Sequence, residues 1–154
     1  MYTKTSPTPG IVPPGYQIKT GYENMQVAAI HHYLSQESYW AKGITMETVD
    51  TALKNSFCVG VFKQTAQVGF ARLITDYSSF AYLADVYVLE NHRKLGLSKA
   101  IMTHIMEQPW INGLRRISLA TRDAHELYRQ FGFNGPSKPE YLMEITRPDI
   151  YQKK

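Results

Sequence analysis

Residues 82–121 constrain the fold of this chain more than any other stretch. An apolar run, Tyr82 to Val88, meets a short polar loop and passes directly into a segment of helical spacing from Leu95 to Glu107. Leu97, Ala100, Ile101, His104 and Ile105 recur at i, i+3, i+4, i+7 and i+8, one face of a helix. Pro109 closes that helix, and Arg115 to Thr121 reads as a second strand. Strand, helix and strand in this order predict two parallel neighbours in one sheet, joined by a right-handed crossover.

The join between strand and helix reads Arg93-Lys94-Leu95-Gly96-Leu97-Ser98. A helix opens with backbone N–H groups that have no partner and with the positive end of its dipole, a ready seat for phosphate. Gly96 lets an anion approach the backbone closely, and Arg93 and Lys94 add positive charge. The expectation is an anion cradle. A solvated helix start bearing ordinary surface bases is the plainer alternative.

The remaining elements follow from local pattern. Four prolines and two glycines in residues 1–15 predict an extended arm, leaving residues 16–154 as one domain. Tyr16 to Thr20 reads as a strand, and Asn24 to Leu34 as a helix capped by Asn24. Thr45 to Asn55 reads as a second helix, and Phe57 to Lys63 with Gln67 to Thr75 as a hairpin. Asp123 to Gln130 is a short helix with Asp123 as cap and Gly132 as stop. Tyr141 to Thr146 alternates and reads as a last strand, with Tyr141, Met143 and Ile145 on one face. The predicted fold class is α/β, a mixed central sheet with flanking helices.

Charge and cysteine content narrow the function. Seventeen Lys and Arg against thirteen Asp and Glu give +4, but the bases are scattered, which argues against nucleic acid as partner. The lone cysteine, Cys58, lies in an apolar strand, rules out an internal disulfide framework and fits a reducing cytoplasm. Inert packing is expected of it, not reactivity. No apolar run approaches membrane-spanning length and the N-terminus lacks a signal-peptide core, so a cytoplasmic protein without membrane contact is expected. His31, His32, His92, His104 and His125 have no metal-ligand spacing, and no metal is expected.

Two motifs taken together resemble the GNAT family of N-acetyltransferases. One is Arg93-Lys94-Leu95-Gly96-Leu97-Ser98, which matches the family's Arg/Gln-x-x-Gly-x-Gly/Ala turn except that Ser98 replaces the last small residue. The other is Leu127-Tyr128-Arg129-Gln130-Phe131-Gly132-Phe133, a tyrosine ahead of a Gly-Phe pair. The element order agrees from Tyr16 to Thr146. The resemblance implies the GNAT acyl-CoA N-acyltransferase fold and an acetyl-CoA cosubstrate. It implies that the pyrophosphate rests on the amides of Arg93, Lys94, Leu95, Gly96, Leu97 and Ser98. The pantetheine arm would bond the main chain of Val86, Tyr87 and Val88, where that strand splays from its neighbour. Asp123 stands near a family Asn that touches pantetheine, and His125 is near the same ligand.

The implied chemistry is attack of a neutral amine on a thioester. A lysine-like amine at neutral pH lies about 3 units below its pKa, so losing its proton costs roughly 4 kcal/mol. A base or a water chain must offset this. Asp85, Asp76 and Glu37 are candidates, and a water relay is the alternative. Tyr128 is the candidate acid for the departing thiolate, since a phenol donates at neutral pH; the alternative is that it merely packs. Tyr39 and Trp40 either wall the acceptor pocket or fill core. The expected partner is a small-molecule primary amine. A protein acceptor, or an acetyl-CoA sensor without turnover, stays open. Homodimerisation through the C-terminal strand or the arm is also an expectation.

Overall fold

The computed structural model describes residues 11–152. Five strands form one sheet in the order β1 (Tyr16–Thr20), β2 (Phe57–Lys63), β3 (Ala66–Thr75), β4 (Phe80–Val88) and β5 (Arg116–Leu119). The first four are antiparallel in succession, whereas β4 and β5 run parallel. Their crossover is α3 (Leu97–Met106), as the strand-helix-strand order predicts. The mixed sheet follows, since hairpins supply its first part and the crossover its last.

Alternation along the strands sends side chains to two cores. On one face Val59, Ala71, Leu83 and Val88 pack under α3 and α4 (His125–Arg129). On the other, Cys58, Phe62, Phe70 and Tyr87 pack under α1 (Val27–His32) and α2 (Met46–Lys54). Thr45 caps α2 by accepting the Thr48 amide, as the start signal there predicts. Cys58 is fully buried, with its thiol against the Leu53 carbonyl, and burial pushes that thiol up to about 11. It is inert packing.

Several boundaries differ from expectation, each for a physical reason. Residues 1–10 of the expected arm lie outside the described residues. The first helix does not start at Asn24. Tyr22–Asn24 is an isolated 3₁₀ turn, and the Asn24 side chain donates to the Thr20 carbonyl instead of capping. After α1 the chain widens into a π turn, Tyr33–Glu37, closed by the Ser38 amide on the Tyr33 carbonyl. The Ser35 and Ser38 hydroxyls bond the His31 and Leu34 carbonyls, side-chain competition that helical periodicity does not register.

Helix α4 is shorter than expected, and Asp123 does not cap it. Thr121 accepts the Ala124 amide instead, at 3.0 Å. Gly132 stops the chain there at φ 93°, as expected. Residues Tyr141–Thr146 form no strand. Pro139–Tyr141 is a 3₁₀ turn, and the chain beyond it pairs with no strand. Alternation marks the capacity to be a strand, while the strand itself needs a neighbour.

Candidate active site

The two parallel strands part company midway. Pairing of β4 with β5 ends at Leu83 opposite Leu119, so Ala84 to Val88 runs on without a partner on that side. The same stretch is bulged against β3. Phe70 faces Tyr87 and Arg72 faces Ala84, leaving β4 one residue longer between those pairs. Asp85 takes up the excess with φ 57°, left-handed backbone that costs a non-glycine residue about 1 kcal/mol or more. The backbone groups of β4 therefore face an opening beyond Leu83, a gap that an extended chain of polar groups can fill by hydrogen bonding.

Beyond Val88 the chain makes a 3₁₀ turn, Glu90–His92, then swings through two left-handed residues, Lys94 at φ 65° and Gly96 at φ 78°, into α3. No side chain caps α3, so the amides of its first turn are left to an outside acceptor. A Cβ at Gly96 would meet nothing within 4 Å. Glycine is needed there for its backbone angle, not for space. The turn borders a cavity of about 260 Å³ lined by Val88, Arg93, Lys94, Gly96, Leu97 and Ser98. Leu127 of α4 and Gln130, the residue that follows the helix, close its other side.

Of the residues singled out from sequence, these six of the strand-to-helix stretch come together. Leu95 points outward and is exposed. Tyr87 reaches the opening through main chain only, because its ring is buried in the opposite core, whereas Val86 packs against the α3-side core. Arg93 turns back: its Nε donates to the Val88 carbonyl at 2.9 Å and its Nη2 to the Tyr33 hydroxyl at 3.4 Å. It thus clamps the end of β4, and Lys94 is the freer charge. Asp123 is not at this cavity; it is exposed and paired at 3.7 Å with Arg122. His125 faces a different groove, along β5.

Tyr128 is buried on α4, with its ring edge-on to Phe133 at 6.0 Å between centroids. Among the described residues its hydroxyl has no hydrogen-bond partner, yet it is not sealed from solvent. Burial, helped by the Asp123 carboxylate and by Tyr39, pushes this phenol up to about 12. It is a group held protonated with a hydroxyl to give.

The candidate bases fare differently. Asp76 accepts the amides of Ser78, Ser79 and Phe80 and the Ser79 hydroxyl, which hold its carboxyl far below the usual range. It is a loop cap, not a base. Asp85 is spent on two contacts, Arg72 Nε at 2.7 Å and the Trp40 indole N–H at 2.8 Å. Glu37 is exposed at the end of the π turn.

Pattern reading missed a cluster on the α1 side of β4. Tyr33 stacks on Tyr87 with centroids 3.9 Å apart, and Trp40 leans on Tyr33 at 6.4 Å. Tyr39 meets Trp40 edge-on at 5.0 Å, and the Arg122 guanidinium lies 3.8 Å above the Tyr39 ring. Asp85, through Trp40, ties this aromatic wall to the bulge in β4. Its members come from four separate segments, so no local spacing announces them. The one sequence signal was Tyr39-Trp40 itself.

Comparison with known proteins bears on the fold that carries this site. The family model described as the acetyltransferase (GNAT) family matches residues 27–133. A crystal structure from Xanthomonas campestris, described as an acetyltransferase of the GNAT family, is 46% identical, with a TM-score of 0.88 over 91% of this chain and 99% of that one. A Gibberella zeae protein named as an acetyltransferase is 31% identical over 73% of this chain and 75% of its own. A Clostridium acetobutylicum acetyltransferase solved with acetyl-CoA shares the fold at a TM-score of 0.65, with 8% identity over 85% of this chain and 96% of that one.

Proposed function

This chain belongs to the GNAT acetyltransferase family, and from that premise we propose that it moves acetyl from acetyl-CoA to the primary amine of a small molecule. The carrying observation is the parting of β4 from β5 after Leu83, with the uncapped start of α3 at one end and the unpartnered Tyr128 hydroxyl beside it. The residues present fit acetyl-CoA. Free amides from Gly96 to Ser98 suit a pyrophosphate, Lys94 adds charge, and the open main chain of Val86 to Val88 suits the amides of pantetheine.

Acetyl-CoA supplies the thioester. The acceptor nitrogen, once neutral, bonds to the acetyl carbon as the carbon–sulfur bond breaks, and the sulfur leaves with the electron pair. Tyr128 gives its proton to that sulfur, and the phenolate left behind takes the surplus proton of the new amide nitrogen, which restores the phenol. A buried phenol is a weak acid, but it stays protonated at every physiological pH and so is always ready to donate. With Asp76 and Asp85 both engaged by other groups, the amine loses its proton to water reached through the opening.

The acceptor side is supported by the aromatic wall. Tyr39 and Trp40 are exposed, and an arginine already rests on the Tyr39 face, the geometry an organic cation would adopt. A coupled thiol-release assay across polyamines, aminoglycosides, amino acids and peptides tests the reading. The expected result is coenzyme A release with a small amine. Turnover with peptides alone would move the acceptor to proteins, and acetyl-CoA binding without release under any amine would make the chain a sensor.

A further inference from the structure

The aromatic wall ends on a charge that the acetyl-transfer chemistry does not use. Arg122 stands on the segment between β5 and α4, just past Leu119, where pairing of β4 with β5 stops. Its guanidinium lies 3.8 Å from the centre of the Tyr39 ring, which belongs to the connection between α1 and α2. Tyr39 in turn meets Trp40, whose indole is held by Asp85 on the bulge of β4. The guanidinium is thus seated by a run of contacts that starts at β4. Seated is not spent. The Arg122 side chain is 65% exposed, and among the described residues none of its N–H groups makes a hydrogen bond. Its one ion pair is with Asp123, the next residue, at 3.7 Å and exposed on both sides. Such a pair contributes little in water, so another carboxylate displaces it at small cost. The neighbouring guanidinium, by contrast, is taken: Arg72 donates to Asp85 and to Ser56.

We propose that Arg122 reads the acceptor: the amine carries a carboxylate, as an amino acid does, and that carboxylate docks on the edge of the guanidinium. The inference deepens the acetyl-transfer reading and rests on it. Stacking on Tyr39 occupies a face of the guanidinium and leaves its edge open, the fork of N–H donors that matches a carboxylate. With that face of Tyr39 covered, this end of the wall offers an acceptor a cation. The place is right as well. Tyr39 and Asp123 both stand near enough to Tyr128 to help push its phenol up, and Arg122 touches both of them. The open fork and the proton donor therefore share one neighbourhood, and an amino group a few bonds from the docked carboxylate stays within it. A charge-assisted, two-pronged contact of this kind is worth about tenfold or more in binding.

Coenzyme A release is measured across the standard amino acids, each beside the amine left by its decarboxylation, such as lysine beside cadaverine. In the wild type the best amino acid is expected to exceed its decarboxylated amine about tenfold or more in kcat/KM. Arg122→Gln is expected to bring that ratio close to one while still binding acetyl-CoA by calorimetry, which shows the variant folded. Arg122→Lys, which keeps the charge without the fork, is expected to restore part of the ratio. Comparing ratios between wild type and variant cancels the intrinsic basicity of each amine. Equal turnover of both members by the wild type leaves acetyl transfer standing and overturns the carboxylate reading alone. So does an Arg122→Gln enzyme that loses both members equally, since a merely structural arginine would do that. No release with any member, despite acetyl-CoA binding, overturns the transfer reading and this inference with it.

Discussion

The two sides of β4 are made by different means. Towards β5, the opening is lined by main chain: the bulged stretch to Val88, the left-handed turn at Lys94 and Gly96, and the uncapped start of α3. Towards α1, the wall is made of side chains brought from afar, with Tyr33 on Tyr87, Trp40 on Asp85 and Asp85 on Arg72. Backbone amides recognise what every carrier molecule shares. Side chains from separate segments are free to vary with the acceptor. On the proposed reading, the cosubstrate takes one side and the acceptor the other, and Tyr128 serves the transfer between them.

Four sets of substitutions would break or sharpen that division. Tyr128→Phe removes the group both sides share and is expected to lower kcat about 100-fold or more while leaving acetyl-CoA affinity unchanged; turnover kinetics beside calorimetry separate the two. Because burial pushes this phenol up to about 12, wild-type kcat should show no alkaline fall from Tyr128 below about pH 11. The linked stability has a definite sign. A phenol raised on folding favours the native state below its unfolded pKa, and that contribution is lost as pH climbs from about 10 through about 12.

Arg72→Ala strands the Asp85 carboxylate in a largely buried place and should cost about 3 kcal/mol in urea unfolding. Arg72→Met with Asp85→Asn should recover much of it. If Arg72→Ala unfolds like wild type, the bridge does not hold the bulge. Next, Gly96→Asp puts a carboxylate and a strained backbone angle at the α3 start, and acetyl-CoA should bind about tenfold more weakly, near 1.4 kcal/mol. Gly96→Asn, uncharged and tolerant of that angle, should lose less. The smallest effect is expected of Trp40→Ala, with acceptor KM raised about threefold and acetyl-CoA affinity untouched. A variant that weakened both ligands equally would erase the distinction between the two sides.

The same contrast explains what could be read in advance. The strand-helix-strand unit, the β2–β3 hairpin, α2 and the Gly96 turn are each set by contiguous residues, and they stand within a few positions of where pattern places them. Elsewhere the deciding partner was remote or in competition. Arg93 does line the α3 mouth, but its bond to the Val88 carbonyl was not legible from spacing. Asp123 had the chemistry of a cap, and Thr121 took the amide. Tyr141–Thr146 had the alternation of a strand, yet it pairs with none. The Arg72–Asp85 bridge joins residues thirteen apart across two strands out of register, which spacing alone does not reveal.

The central claim is that the α3 mouth and the freed β4 backbone hold acetyl-CoA, and amide NMR of the ¹⁵N-labelled chain titrated with acetyl-CoA tests it most directly. The largest shifts should fall at Gly96, Leu97 and Ser98, followed by Val86 to Val88. If those amides stay still while the largest shifts gather along β1 or α2, the cosubstrate binds elsewhere and the account is wrong.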